Sequence, residues 1–131
     1  MCGVVGIMDL EGNAQRYQSR LERASQRLAH RGPDGQGMHI EGEIALAFRR
    51  LAILDLSNAG DQPAVSQNGD WVVVFNGEIY NYAEMRQTLQ SHGVTFRSTC
   101  DTEVLVEGLT HWGTACFERC NGMWAVLAWQ R

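Results

Sequence analysis

The chain carries no basic cluster, and acid outnumbers base: 15 Asp and Glu against 11 Lys and Arg, for a formal net charge of −4. That balance excludes the electrostatic footprint of a nucleic-acid or anionic-membrane binder, which needs clustered Lys and Arg. No apolar run approaches the roughly 20 residues that span a bilayer. The first residues have neither the basic segment nor the long apolar stretch of a secretory leader, so a cytoplasmic location is expected. Cysteine is scarce: Cys2, Cys100, Cys116 and Cys120 form no CxxC pair and no metal-like spacing with histidine. A disulfide framework and a structural zinc site are therefore not indicated. Cys116 and Cys120, four apart, are expected to be reduced, buried thiols on one helix face. There is no internal repeat and no low-complexity linker. What remains is 131 residues with a 44% apolar share, enough for one domain with a sizeable core.

The most informative stretch comes first: Met1-Cys2-Gly3-Val4-Val5-Gly6-Ile7. Removal of Met1 would leave Cys2 with a thiol and a free α-amine on one residue. An α-amine titrates near pH 7.7–8.0, so about a fifth of it is free base at neutral pH. It can then serve as proton acceptor beside its own nucleophile. Val4 to Met8 reads as a strand that fixes this terminus in the fold.

Asp9 to Asn13 reads as a turn, and Ala14 to His30 as a helix with Tyr17, Leu21, Ala24 and Leu28 on its inner face. Arg31-Gly32-Pro33-Asp34-Gly35-Gln36-Gly37 is a shaped loop. Met38–Glu41 and Ile44–Leu54 read as antiparallel strands. Because strand neighbours face opposite ways, only one of Arg49 and Arg50 can face a pocket. Trp71 to Phe75 reads as a strand buried on both faces, ending at Asn76-Gly77-Glu78. Asn81 with Glu84 resembles a capping box for a helix to about His92, with Gly93 as its C-cap. A short strand is expected at Val94–Arg97. A helix capped by Asp101 follows, with Leu105, Leu109 and Trp112 inward. A helical turn at Thr114–Arg119 and an apolar strand at Met123–Trp129 complete the chain. Its last residues directly follow that strand, so it is expected to be part of a longer protein.

These pieces together resemble a class II glutamine amidotransferase domain of the N-terminal-nucleophile hydrolase kind, in its asparagine synthetase-like branch. The residues carrying the resemblance are the Met-Cys-Gly start, His30-Arg31-Gly32-Pro33-Asp34, Arg50-Leu51-Ala52-Ile53-Leu54-Asp55, Gln62-Pro63, Asn76-Gly77-Glu78-Ile79-Tyr80-Asn81, Asp101-Thr102-Glu103-Val104 and Asn121-Gly122-Met123-Trp124-Ala125. They occur in order over essentially the whole chain, residues 1–131. The implied fold is α+β, a four-layer αββα sandwich of two antiparallel sheets. Its C-terminal strands would be absent here, along with any synthetase domain.

The resemblance implies that Cys2 attacks the side-chain amide of L-glutamine. A glutamyl thioester forms, and ammonia is released for an acceptor reaction elsewhere. Asn76 and Gly77 would form the oxyanion hole, one through its amide and the other through its backbone N–H. Arg50 would bind the substrate α-carboxylate. Asp101 would hold the α-ammonium with help from Glu78, and backbone groups of Ile53 and Leu54 would complete the pocket. Arg31 and Asp34 would shape the loop over the site. The implied partner is a synthetase domain or subunit that receives ammonia. No cofactor is expected in this domain, since ATP and magnesium would belong to that partner. Association of two copies is left open by the sequence. Many relatives carry histidine where this chain has Phe48, which bears on how Arg50 is supported. Two other readings stand beside this one: a non-catalytic module that binds glutamine or a subunit, and a peptidase or acylase of the same hydrolase kind. The pairing of Arg50 with Asp101, suited to the two charges of a free amino acid, speaks against the last.

Overall fold

The computed structural model describes residues 2–52 and 60–131. Alternation of side chains on its strands sorts the apolar residues into three layers. Strands β1 (Gly3–Met8), β2 (Gly35–Glu41) and β3 (Ile44–Arg50) form one antiparallel sheet in the order β1-β3-β2. Strands β4 (Ala64–Val65), β5 (Trp71–Ile79) and β6 (Gly122–Gln130) form a second, in that order.

On β3, Ala45 and Ala47 turn outward to meet Ala14 and Leu21, the latter on helix α1 (Gln18–Arg27). Leu46 and Phe48 turn the other way and meet Val72 and Val74 of β5, with Cys2, Val4 and Trp129 around them. The opposite face of β5, carrying Trp71, Val73, Phe75 and Ile79, packs on helices α2 (Tyr82–Ser91) and α3 (Asp101–Trp112). The layers therefore run helix, sheet, sheet, helices, as expected. Helix α4 (Cys116–Arg119) is a single turn behind α3. Cys116 lies fully buried there, and burial pushes its thiol up to about 12. Cys120 donates to the Cys116 carbonyl at 3.3 Å.

Several local expectations are corrected. The first helix opens as a 3-10 turn (Ala14–Tyr17), and its α-helical part stops at Arg27. Leu28 to His30 instead form turns that lead into the Arg31–Asp34 loop. Strand β5 does not end at Phe75 but runs on to Ile79, because Gly77 lets β6 approach closely. A Cβ on Gly77 would lie 2.3 Å from the Met123 carbonyl oxygen. Asn81 stands at the N-cap of α2 but makes no capping bond. Its amide instead bridges Arg119 O (2.9 Å) and Asn121 N (2.8 Å), tying α2 to the turn before β6. Val94–Arg97 is not a strand. There the carbonyl of Thr95 accepts from Gln67 Nε2 and the N–H of Arg97 donates to Glu103 Oε1, so side chains satisfy backbone groups that a ladder would have used. At the end of α2, Gly93 adopts φ +88°, with Val94 N bonded to Leu89 O and Gly93 N to Gln90 O. This is the Schellman pattern expected of a glycine after a helix.

Candidate active site

Cys2 enters the fold through β1. Gly3 pairs with Arg49, so Cys2 lies beside the end of β3. The Cys2 sulfur accepts the Leu51 N–H at 3.4 Å and lies 3.8 Å from the Leu51 carbonyl oxygen. Its side chain points to the inter-sheet face that also carries Val4, Phe48 and Val74. The Cys2 carbonyl is held by Arg31, whose Nε donates at 3.1 Å.

The Arg31–Asp34 loop is stapled to the exit of β3 at several points. Asp34 N donates to Arg50 O (2.9 Å), Ala52 N donates to Asp34 Oδ2 (2.9 Å), and Arg49 Nε donates to Gly32 O (3.1 Å). Gly32 lies against β3, where a Cβ would stand 2.3 Å from the Arg49 carbonyl carbon. Asp34 thus fixes the main chain at Arg50 and Ala52 and Arg31 holds the Cys2 carbonyl, while Arg49 reaches away to Gln36.

Arg50 follows the alternation of Leu46 and Phe48, so it belongs to the inter-sheet face. It is buried, at 9% exposure. Its Nη1 bonds Asp61 Oδ1 at 2.8 Å, and a Cβ on Gly60 would come within 2.7 Å of Nη2. Phe48, at 2% exposure, fills the inter-sheet core and leaves polar support of the guanidinium to Asp61 and its neighbours.

The end of β5 is set by backbone alternation. Successive strand residues turn their N–H and C=O to opposite edges. Tyr80 N bonds Asn121 O toward β6, so even-numbered residues face β6. Odd-numbered residues face the other edge. There Val73 pairs with Ala64, Phe75 is bonded by the Gln62 side chain, and Ile79 N donates to Asp101 Oδ2 at 3.1 Å. Gly77 lies midway along that edge, with its N–H directed away from β6. The side chains alternate too. Asn76 and Glu78 follow Val72 and Val74 onto the inter-sheet face, where Asn76 is half-buried and Glu78 exposed.

The segment before β4 joins the two sheets. The Gln62 side chain bonds Phe75 of β5, while its carbonyl oxygen lies against Gly37 of β2, which pairs with Phe48. Gly60 touches Arg50, so the Arg50 end of the first sheet and the Phe75 end of β5 share this segment. Asp101 is half-buried as the first residue of α3, with Cys100 rather than Asp101 at the N-cap. Burial raises the Asp101 pKa above 3.8, while N–H donation from Ile79 and Thr102 partly opposes the shift. Cys2 and Arg50 thus stand together at the end of β3, and Asn76, Gly77 and Asp101 stand together at the end of β5. Glu78 lies at the exposed margin of the inter-sheet layer. Ile53 and Leu54 lie outside the described residues.

A cavity of about 290 Å³ opens between Asp61, Pro63–Val65 and α3, with Cys100, Thr102, Glu103 and Glu107 in its walls. Burial raises the Glu107 pKa, and the carboxylate accepts the Gln67 N–H at 2.9 Å. Among the described residues, no three His, Cys, Asp or Glu side chains are grouped to hold a metal ion. Sequence reasoning gave no role to Asp61 or Gln62. The available signal was the Gln62-Pro63 pair, which carried part of the resemblance without a role of its own.

Two antiparallel sheets face each other with helices on both outer faces, and Cys2 stands at the start of a strand of the first sheet. Two solved structures share this fold. One is described as the allosteric regulatory enzyme of purine biosynthesis (TM-score 0.79, 22% identity, covering 98% of this chain and 35% of that one). The other is glutamine phosphoribosylpyrophosphate amidotransferase from B. subtilis (TM-score 0.74, 22% identity, covering 99% and 35%). The chain belongs to the glutamine amidotransferase domain family, whose model matches residues 1–131. It is 37% identical to asparagine synthetase [glutamine-hydrolyzing] 1 of Bacillus subtilis (strain 168) over 133 residues, covering 100% of this chain and 21% of the relative. It is 38% identical to asparagine synthetase [glutamine-hydrolyzing] 3 of Arabidopsis thaliana over 127 residues, covering 97% and 22%. The chain spans about a fifth of the length of these curated relatives.

Proposed function

We propose that this domain hydrolyses the side-chain amide of L-glutamine and passes ammonia to an acceptor site on a synthetase domain or subunit. The observation that carries the reading is the seat of the Cys2 sulfur, bonded to Leu51 N directly beside buried Arg50. With Met1 removed, the Cys2 α-amine takes the thiol proton as sulfur attacks the amide carbon. The oxygen gains negative charge, and Asn76 Nδ2 and Gly77 N–H donate to it. The C–N bond breaks, the α-amine gives its proton to nitrogen, and ammonia leaves behind a γ-glutamyl thioester. Water, deprotonated by the same amine, then attacks the thioester and releases glutamate and the thiol. Arg50 grips the α-carboxylate and Asp101 the α-ammonium, so the site selects a free amino acid. Glu78 assists at the margin, and backbone groups of Ile53 and Leu54 close the pocket. This half-reaction needs no metal; ATP and magnesium would serve the acceptor site. Among the described residues no helix is long and apolar enough to cross a membrane, which fits a cytoplasmic enzyme.

Intact-mass spectrometry tests the proposal. The mature chain should lack Met1 and gain one adduct from a diazo-ketone analogue of glutamine. Cys2→Ala should lose both the adduct and glutamate release; a variant that still hydrolysed glutamine would reject the mechanism.

A further inference from the structure

Gln62 is a primary amide at 8% exposure, and its side chain bonds a single residue. Nε2 donates to Phe75 O at 3.1 Å, and Oε1 accepts from Phe75 N at 2.6 Å. A side chain thereby makes the two bonds that a paired backbone residue makes in an antiparallel ladder. Strand β4 covers only Val72 and Val73. At Gln62 the main chain has instead moved over the first sheet: a Cβ on Gly37 of β2 would lie 1.8 Å from the Gln62 carbonyl oxygen. The neighbouring Asp61 holds Arg50. One short strap therefore ties the carboxylate-binding arginine to the strand bearing the oxyanion donors.

We propose that Gln62 is a positioning residue for amide hydrolysis, a side-chain substitute for β4. It satisfies the edge of β5 at Phe75 while leaving the next edge group, the Gly77 N–H, open to substrate. Had β4 continued in register, backbone near Gly60 would compete for that N–H. Had the edge gone unbonded, the Asn76–Gly77 segment would lose its fixed direction, and an oxyanion hole works only when its donors are preorganised.

The inference rests on the function proposed above, and its test separates the two. Wild-type full chain releasing no glutamate would reject the function itself. With an active wild type, Gln62→Met removes both bonds at similar volume. We expect kcat for L-glutamine to fall about 10–100-fold with KM within about threefold. Affinity for glutamate γ-semialdehyde, whose adduct with Cys2 places oxygen in the oxyanion site, should fall in step with kcat. Affinity for glutamate, which forms no such adduct, should hold. Gln62→Glu keeps the acceptor for Phe75 N and loses the donor, so its loss of kcat should be smaller; it carries the test alone if Gln62→Met fails to fold. Unchanged kcat in a folded variant, or equal loss of aldehyde and glutamate affinity, would overturn the inference.

Discussion

Asp101 sits where water is scarce, and its acidity follows from that. Burial disfavours its charged form and raises its pKa above 3.8, with the Ile79 N–H pulling the other way. For folding, a raised carboxyl pKa is a contribution complete below 3.8 and lost as pH climbs through the native value. For glutamine the requirement is opposite, since only the carboxylate can hold an ammonium. The kcat/KM profile should therefore fall as pH drops through the native Asp101 pKa, on an acid limb lying above 3.8. Asp101→Asn should erase that limb and cost about 100-fold in kcat/KM at neutral pH. Steady-state assays from pH 4 to 8 with both proteins check the pair; an unchanged limb in the variant would assign it to another group. Arg50 makes a different point. Its partner Asp61 is 59% exposed, so the ion pair itself adds little stability. The guanidinium's planar fork is what matches an α-carboxylate. Arg50→Lys should keep the charge, leave kcat within a few fold and raise the glutamine KM about 10–100-fold. A KM close to wild type would place the carboxylate elsewhere.

At the scale of elements, the parts legible in the sequence were those governed by burial period. The apolar run from Ile44 gave a strand whose alternation set Arg49 and Arg50 on opposite faces, and the run Trp71–Phe75 gave one covered on both sides. The parts that were not legible depended on partners distant in sequence. Asn76-Gly77 looks like a turn until β6 is placed beside it, and Val94–Arg97 looks like a strand until Gln67 and Glu103 are seen taking its backbone bonds. Asn81 fits a cap locally but is claimed by Arg119 and Asn121. The candidate site divides the same way. Cys2, Arg50 and Asp101 carry chemistry in their side chains and stood out early. Gln62 and Leu51 act on or through backbone and gave little signal. Gly32 is the clearest element-level test, because the loop can lie on β3 only without a side chain. Gly32→Ala drives a Cβ to 2.3 Å from Arg49 carbonyl carbon and 2.6 Å from Arg50 nitrogen, neither of which can swing aside. Urea unfolding should show a loss of about 3 kcal/mol or more, and any folded fraction should bind glutamine poorly because Arg50 follows directly.

The whole molecule leaves its second sheet asymmetric. On one side β5 is met by β4, the Gln62 amide and Asp101; on the other it is fully paired with β6, whose own far edge is the outer limit of the described sheet. That strand is nine residues of mostly apolar chain, with Met123 61% exposed and Leu127 36% exposed. A long, flat, apolar edge is a template for pairing with another chain. The 131-residue chain should accordingly self-associate as its concentration rises. Register says which positions matter. Residues of β6 opposite even-numbered β5 residues bond inward, as Leu127 does opposite Val74, and those between them direct their N–H outward, as Ala128 does opposite Val73. Proline removes one N–H and is tolerated only where that N–H is not needed by the ladder. Ala128→Pro should shift sedimentation velocity toward monomer with a melting temperature close to wild type. Leu127→Pro, one residue earlier, should lower the melting temperature by several degrees. If Ala128→Pro associates as strongly as wild type while remaining folded, the contact between copies runs through some surface other than this edge.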